Sequence, residues 1–249
     1  MIDLHCHILP GIDDGADSLQ TALDMARIAL DNGITAAAAT SHLGYPSELW
    51  AFCRRRDQRL ERLREALAKA GLPLELYPGA EIYVDDDLFF APRLTPAALN
   101  GSRFLLVEFT FGVLTYTQLR RYLAELRERE ARPIIAHPER LLCFRRNPSW
   151  INELREEGIL FQINAASLAG YGNRDEHRLA AQMAVSQVAD FLATDAHDPV
   201  RRPPNFAALR RRFPAALDED QIRYMTETAP AAVLADELPP KRAWDELIW

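Results

Sequence analysis

Short apolar runs alternate along this chain with longer stretches whose apolar positions recur every three or four residues. The runs are Ile2–His7, Ile34–Thr40, Leu74–Val84, Arg103–Phe109, Pro133–Ala136, Ile159–Asn164 and Asp190–Thr194. Bounded by turn residues, they read as buried strands. Helical spacing fills Ser18–Asn32, Glu48–Ala70, Thr115–Glu130, Ser149–Glu157 and Glu176–Gln187, and then Asn205–Phe213 and Asp218–Leu234 at the end. In the first helix Leu19, Leu23, Ala26, Ile28 and Leu30 give the apolar face, Asp17 or Ser18 caps the start, and Gly33 follows the end. The third run bends at Pro78-Gly79, and Ile34–Thr40 consists of small residues suited to a crowded interior. Strands alternating with helices predict βα units around a parallel sheet, with about seven strands. No repeat or linker divides the chain, so one domain is expected, with its core to about Leu234 and a tail over 235–249. Trp244 and Trp249 in that tail would dock on the body or on a partner.

Composition narrows the class. The chain has 249 residues, 48% hydrophobic and 26% charged, as a soluble α/β barrel requires. No apolar run approaches the length of a membrane span, and no basic segment followed by an apolar one marks a signal peptide, so a cytoplasmic protein without membrane insertion is expected. The net charge of −7 argues against nucleic acid as partner. The three cysteines, Cys6, Cys53 and Cys143, are widely spaced and expected as free thiols. Oligomeric state is not readable.

The chemistry collects at strand ends. In Ile2–His7, alternation turns His5 and His7 to one face and Leu4 and Cys6 to the other, and two imidazoles about 7 Å apart along a strand can hold one divalent cation. Five of the six histidines, His5, His7, His42, His137 and His197, fall in or after the C-terminal part of a predicted strand; His177 lies in a polar helical stretch and reads as surface. Glu81, Glu108 and Asp195 occupy comparable places. In a parallel barrel these ends converge on one rim, where active sites lie, and core histidines would not all choose it. Of the adjacent pair Asp13 and Asp14, one faces a given metal, and Asp14 is preferred. So many imidazoles and carboxylates exceed the needs of one ion, which points to two or three ions. Mixed nitrogen and oxygen ligation without thiolate suits Mn²⁺, Fe or Zn²⁺. Clustered ions suit phosphate-ester hydrolysis: they polarise phosphoryl oxygens, lower the pKa of a bridging water that attacks phosphorus, and stabilise the leaving oxygen. Arg140 and Arg202, close after His137 and His197, could match phosphate oxygens with guanidinium forks or simply cap loops. The segment Cys53–Arg59 fits the C-x5-R pattern of cysteine phosphatases but contains no glycine and lies in a helical Arg/Glu stretch, so it lacks a phosphate-cradling loop.

The set MIDLHCHILPGIDDGA, TSHLG, GAEIYV, VEF, IIAHPER and ATDAHDPVRRPP, in this order and spacing, resembles the PHP (polymerase and histidinol phosphatase) superfamily. Within it, the chain is similar to the bacterial capsule and exopolysaccharide branch, metal-dependent tyrosine-protein phosphatases of the CpsB/CapC/YwqE type, from Met1 to about Leu234. The resemblance implies a distorted (β/α)7 barrel and three divalent ions, foremost Mn²⁺. It puts His5, His7, Glu81 and Asp195 on one ion, gives Glu81 as a bridge to a second ion held with Glu108 and His137, and puts Asp14, His42 and His197 on the third. Arg140 and Arg202 match its phosphate-contacting arginines. The sequence TSHLGYPSELW lacks the proline before and the histidine after His42 that many relatives carry, so the loop after His42 bears on substrate preference. The activity implied is hydrolysis of phosphotyrosine, on the tail of a tyrosine kinase that controls polysaccharide synthesis. A small-molecule phosphatase acting on histidinol phosphate or a nucleotide, and a non-catalytic binder of the phosphorylated tail, are the alternatives.

Overall fold

The computed structural model describes residues 1–206 and 217–248, and the elements below are those of the described residues. The strands are β1 (Ile2–Cys6), β2 (Ala36–Ala39), β3 (His42–Leu43), β4 (Glu75–Pro78), β5 (Glu81–Tyr83), β6 (Phe104–Glu108), β7 (Arg132–Ala136), β8 (Leu160–Asn164) and β9 (Phe191–Ala193). The helices between them are α1 (Leu19–Asp31), α2 (Leu49–Ala70), α3 (Tyr116–Glu128), α4 (Leu142–Arg146), α5 (Ser149–Glu156), α6 (Ala165–Leu168) and α7 (Arg174–Val185). Every strand pair is parallel, in the orders β1-β2-β4 and β3-β5-β6-β7-β8-β9. The buried apolar residues, from Leu4 to Leu247, form one cluster. No helix among the described residues is long and apolar enough to cross a membrane.

One expected strand is broken and another is followed by a short strand beyond its expected end, which is why seven apolar runs give nine strands. Ile34–Thr40 ends as β2, and the chain resumes after Thr40-Ser41 as β3; Leu74–Val84 splits into β4 and β5 across Gly79-Ala80. A Cβ at Gly79 would lie 3.0 Å from the Leu99 side chain and 3.1 Å from the Thr40 side chain, so any larger residue would have to push these neighbours back by a few tenths of an ångström. The two breaks coincide. β2 pairs with β4 below them, and β3 with β5 above, placing His42 opposite Glu81.

The barrel is therefore distorted, and its hydrogen-bonded ladders do not close into a continuous ring. Between the first and last strands stand a single bridge, Cys6 to Ala196, and two backbone bonds of 2.8 Å, Asp195 N–H to His5 O and His7 N–H to Ala196 O. Asp3, fully buried, completes the join: its Oδ1 accepts from Thr194 N at 3.0 Å and His5 N at 3.3 Å, and its Oδ2 accepts from the Thr194 hydroxyl.

The C-terminal segment differs from the expected single helix. Helical turns at Glu219–Arg223 and Ala229–Leu234 flank a wider π turn at Tyr224–Thr228. Pro230 offers no N–H to the Thr226 carbonyl, so the regular ladder cannot run through this point. From residue 207 on, the expected helix Asn205–Phe213 lies outside the described residues, as does Trp249. The tail docks on the body: Leu247 N donates to Asn152 at 3.0 Å, Asp245 N to the Ser186 carbonyl at 2.9 Å, and Trp244 packs on the core.

Burial pushes the Asp3 carboxyl up to about 6, against the lowering effect of its bonds to Thr194 and His5. A raised carboxyl means that the folded chain binds the extra proton. Its contribution to stability is full below about pH 4 and is lost as pH rises to about 6. Asp3→Asn keeps both acceptor bonds and donates to the Thr194 hydroxyl without a charge. Relative to wild type it should therefore gain about 2 kcal/mol of stability between pH 4.5 and 7. Urea unfolding of both proteins in chelator at the two pH values tests this, and a constant difference would refute it.

Candidate metal centre

Nine side chains meet at the C-terminal ends of the strands. β1 delivers His5 and, just past its end, His7; β3 delivers His42, β5 Glu81 and β6 Glu108. His137 follows β7, and Asp195 and His197 follow β9. The loop after β1 brings Asp14. Two of these residues hold backbones that L side chains rarely adopt, His137 at φ 32° and Asp195 at φ 52°. Such strain persists only where the surroundings over-determine it. Glycine serves a different need at Gly15, where a Cβ would lie 2.2 Å from the His7 carbonyl oxygen. The Asp13-Asp14 loop can press onto His7 only because residue 15 has no side chain.

Glu81 is the hub. Its carboxylate is buried at 1% exposure and lies 2.7 Å from His137 Nε2, 3.1 Å from His42 Nδ1, 3.2 Å from His5 Nε2 and 3.3 Å from His7 Nε2. Asp195 Oδ1 is 3.4 Å from His5 Nε2 and 3.6 Å from His7 Nε2. Glu108 lies 3.2 Å from His42 and 3.9 Å from His137. Asp14 Oδ1 is 3.4 Å from both His42 Nε2 and His197 Nε2. These donors fall into four overlapping groups spaced as ligands of one ion: His7, Asp14, His42 and His197; His5, His7 and Glu81; His5, His137 and Asp195; His42, Glu81 and Glu108.

The tautomers of two histidines test whether the donor set suits cations. His5 Nδ1 donates to Gln162 Oε1 at 2.9 Å, and His7 Nδ1 donates to Asp13 Oδ2 at 2.8 Å. With each Nδ1 committed as a donor, the neutral rings present lone pairs at Nε2. Those two nitrogens face each other at 3.1 Å, with carboxylate oxygens around them. Opposed lone pairs at that distance require a shared positive charge, a proton or a metal ion.

Protonation behaviour reflects the same demand. Burial lowers the affinity of His42 for a proton, but Glu108 and Glu81 outweigh it and raise the imidazole to about 11. His5 is raised in the same way, against burial, to about 9 by Glu81 and Asp195. Burial alone would raise Glu81, yet His5, His137 and His42 hold it well below the usual carboxylate range. His197 is the exception: burial and the neighbouring His7 lower it to about 4.

Two guanidiniums flank the mouth. Arg140 Nη1 lies 3.2 Å and Arg202 Nη2 2.6 Å from Asp195 Oδ2, and Arg140 stacks 4.7 Å over the Phe111 ring. Together with Asp14, His42, Glu81, Glu108, His137, Asp195 and His197 they line a cavity of about 130 Å³. A neighbouring cavity of about 470 Å³ shares Arg140, Asp195 and Arg202. Cys53 is elsewhere, on α2; its Sγ faces the Pro96 carbonyl at 3.6 Å and burial pushes its thiol up. Arg59 sits about 120° around the helix from it, so no phosphate loop exists there. His177 is half-buried on α7, with Nδ1 3.1 Å from the Ser167 carbonyl oxygen.

Of the supporting residues, the sequence singled out only Asp13, as the rival of Asp14 for a metal. Gln162 orients His5, Asn164 donates to Asp195 at 2.7 Å, Asp13 orients His7 and accepts from His42 N at 2.8 Å, and Phe111 underlies Arg140. A signal existed for two of them: Gln162 and Asn164 are the polar positions of an otherwise apolar run, two apart and so on one face.

A parallel α/β barrel that gathers histidines and carboxylates at the C-terminal strand ends defines a class of metal-centre barrel enzymes. Within that class the chain belongs to the CpsB/CapC family of capsular polysaccharide synthesis, whose model matches residues 1–235. It is 36% identical over 206 residues to the tyrosine-protein phosphatase YwqE of Bacillus subtilis (strain 168), covering 80% of this chain and 78% of the relative. To the tyrosine-protein phosphatase CpsB of Streptococcus pneumoniae it is 27% identical over 215 residues, 82% of this chain and 86% of the relative. A crystal structure from work on YwqE and CpsB, described as unique metal-dependent tyrosine phosphatases, superposes with a TM-score of 0.78 at 29% identity, over 97% of this chain and 100% of that one. Dihydropyrimidinase from Brevibacillus agri shares the fold alone, with a TM-score of 0.54 at 12% identity over 94% of this chain and 70% of that one.

Asp13→Ala should weaken divalent-cation binding about ten- to hundredfold, because His7 loses the acceptor that sets its tautomer. Competition against a chelating dye measures it, and unchanged affinity would show that His7 needs no such partner.

Proposed function

We infer that this chain is a metal-dependent protein-tyrosine phosphatase. The observation that carries the reading is the meeting of Arg140 and Arg202 at the mouth of a cavity floored by imidazoles and carboxylates. The names of its relatives and its membership of a capsular polysaccharide family support a phosphotyrosine on the tail of a polysaccharide-synthesis tyrosine kinase as substrate. Three divalent ions are proposed, with Mn²⁺ foremost and Fe or Zn²⁺ compatible with the same nitrogen and oxygen donors. His5, His7, Glu81 and Asp195 would hold the first. Glu81 would also serve the second with Glu108 and His137, and Asp14, His42 and His197 would hold the third. Bound there, the ions supply Lewis-acid stabilisation of phosphoryl charge and lower the pKa of water.

The chain's own residues bind and orient. Arg140 and Arg202 share one oxygen of Asp195, and an arriving phosphate offers both a better-charged acceptor. Phe111 beneath Arg140 limits the plane in which that guanidinium can swing. Asn164 holds Asp195 in place while the arginines change partners. The leaving oxygen of tyrosine has a pKa near ~10, so it departs with little help from a general acid.

Phosphate release from a phosphotyrosine peptide should vanish on metal stripping and return as Mn²⁺ is titrated back. Glu81→Ala and His42→Ala should lose bound metal and activity together, whereas Cys53→Ser should keep both. Release that survives metal depletion, or that disappears with Cys53→Ser, would overturn the mechanism.

Arg140→Ala and Arg202→Ala should each cost about a hundredfold in kcat/KM, the scale of one lost transition-state donor. Metal content, read by elemental analysis, should stay at the wild-type value. Loss of metal in either variant would assign the arginine to the centre's assembly instead.

A further inference from the structure

The arginine run of α2 has no part in the chemistry above, and one of its faces is distinctive. Residues 55, 58, 59, 62, 66 and 69 follow the three-and-four spacing of one helix stripe and read Arg, Gln, Arg, Arg, Ala, Lys, without an acidic residue. Of the other arginines of α2, Arg54 is exposed off the stripe, and Arg56 and Arg64 are engaged by the body. Arg56 is buried, pairs with Asp57 and donates to the Pro96 carbonyl at 2.8 Å, and Arg64 donates to the Leu76 carbonyl at 2.6 Å. Arg55, Arg59 and Arg62 make no ion pair among the described residues. Like charges at this spacing work against the helix, and a chain of net charge −7 does not need them for solubility.

The stripe does not face open solvent alone. Between it and the loop after β1 lies a cavity of about 340 Å³, lined by Gly11, Ile12, Arg55, Gln58, Arg59 and Arg62. The same loop, one and two residues later, carries Asp13 and Asp14 to His7, His42 and His197. Ile12 and Asp14 therefore have Cα atoms at most about 7 Å apart. A ligand held at the centre and a second anion held by the stripe would sit on the two sides of one short loop.

We propose that this groove binds acidic residues of the phosphoprotein substrate, a few positions along the peptide from the phosphotyrosine. The assignment rests on the phosphatase reading given above. Extended peptide advances about 3.3 Å per residue, so a spacing of about three to six residues bridges loop and groove. The groove's three guanidiniums and one amide match carboxylate side chains, and the acidic balance of the whole chain opposes a long polyanion such as nucleic acid.

Two phosphotyrosine peptides of equal length test this on the metal-loaded full chain. One carries Asp and Glu three to six positions from the phosphotyrosine on both sides, the other Asn and Gln, and p-nitrophenyl phosphate reports the chemistry alone. The acidic peptide should have a kcat/KM about tenfold higher at low salt, shrinking towards parity as salt screens the groove. R55Q/R59Q/R62Q should abolish the advantage and leave p-nitrophenyl phosphate turnover unchanged. Equal kcat/KM for the two peptides on wild type, an advantage that survives the triple substitution, or a fall in p-nitrophenyl phosphate turnover would each overturn the proposal. If neither peptide is hydrolysed, the phosphatase reading fails by itself. Fluorescence anisotropy of the labelled acidic peptide then decides the groove separately: binding that is weakened about tenfold in the triple variant upholds it, and unchanged binding overturns it. Tighter capture of a single-stranded oligonucleotide of equal charge than of the acidic peptide overturns it too.

Discussion

Glu81 is a carboxylate buried to 1% exposure with imidazoles on four sides, and the rest of the structure answers to it. An ionised carboxylate taken out of water is costly unless opposite charge and hydrogen bonds surround it. Here the compensation arrives from β1, β3 and β7, so three separate strands must end at one height. The coincident breaks at Thr40-Ser41 and Gly79-Ala80 meet that demand by re-aiming two neighbouring strands together and setting His42 beside Glu81. The carboxylates Glu81, Asp195 and Glu108 raise the proton affinity of His5 and His42, so the charge that attracts a cation to the centre also attracts protons. Cation binding must displace those protons, so occupancy of the centre and pH are linked, with affinity falling as pH falls.

The same constraint explains where the fold accepts strain. His137 and Asp195 stand at left-handed φ immediately after β7 and β9, where a regular strand would carry their side chains past the hub. Gly15 allows the loop after β1 to lie against the His7 backbone. Each turns a donor towards a common point, and the large apolar cluster beneath holds the backbone to it.

Much of this was legible in the sequence because the barrel makes position meaningful. Histidines and acids at the ends of apolar runs identify a rim, and the alternation in Ile2–His7 puts His5 and His7 together without any knowledge of neighbours. The strand breaks were only half visible. Pro78-Gly79 announces a bend, but nothing in ITAAAATSHL announces one at Thr40-Ser41, where the change of partner register is a matter of tertiary pairing. Asp13 and Asp14 illustrate the limit most sharply. They are adjacent and chemically alike, and only tertiary geometry gives one to the His7 Nδ1 and the other to His42 and His197. The docking of Trp244 and the π turn before Pro230 likewise follow from which surface lies opposite, which a linear pattern does not carry.

Charge offers the last step. Taken alone, the chain is acidic, and four of its carboxylates, Asp14, Glu81, Glu108 and Asp195, crowd the centre. That concentration would repel a phosphate monoester, itself a dianion above its second pKa of about 6. In the proposed loading, divalent ions more than cancel those carboxylates, and Arg140 and Arg202 at the mouth add to the positive balance. The sign of the field at the site is therefore set by occupancy. With the proposed ions bound, the centre would attract a phosphate that its own carboxylates would repel. On the proposed reading, metal and phosphate binding would then favour each other through the field of the ions, and the two arginines beside Asp195 would add to it.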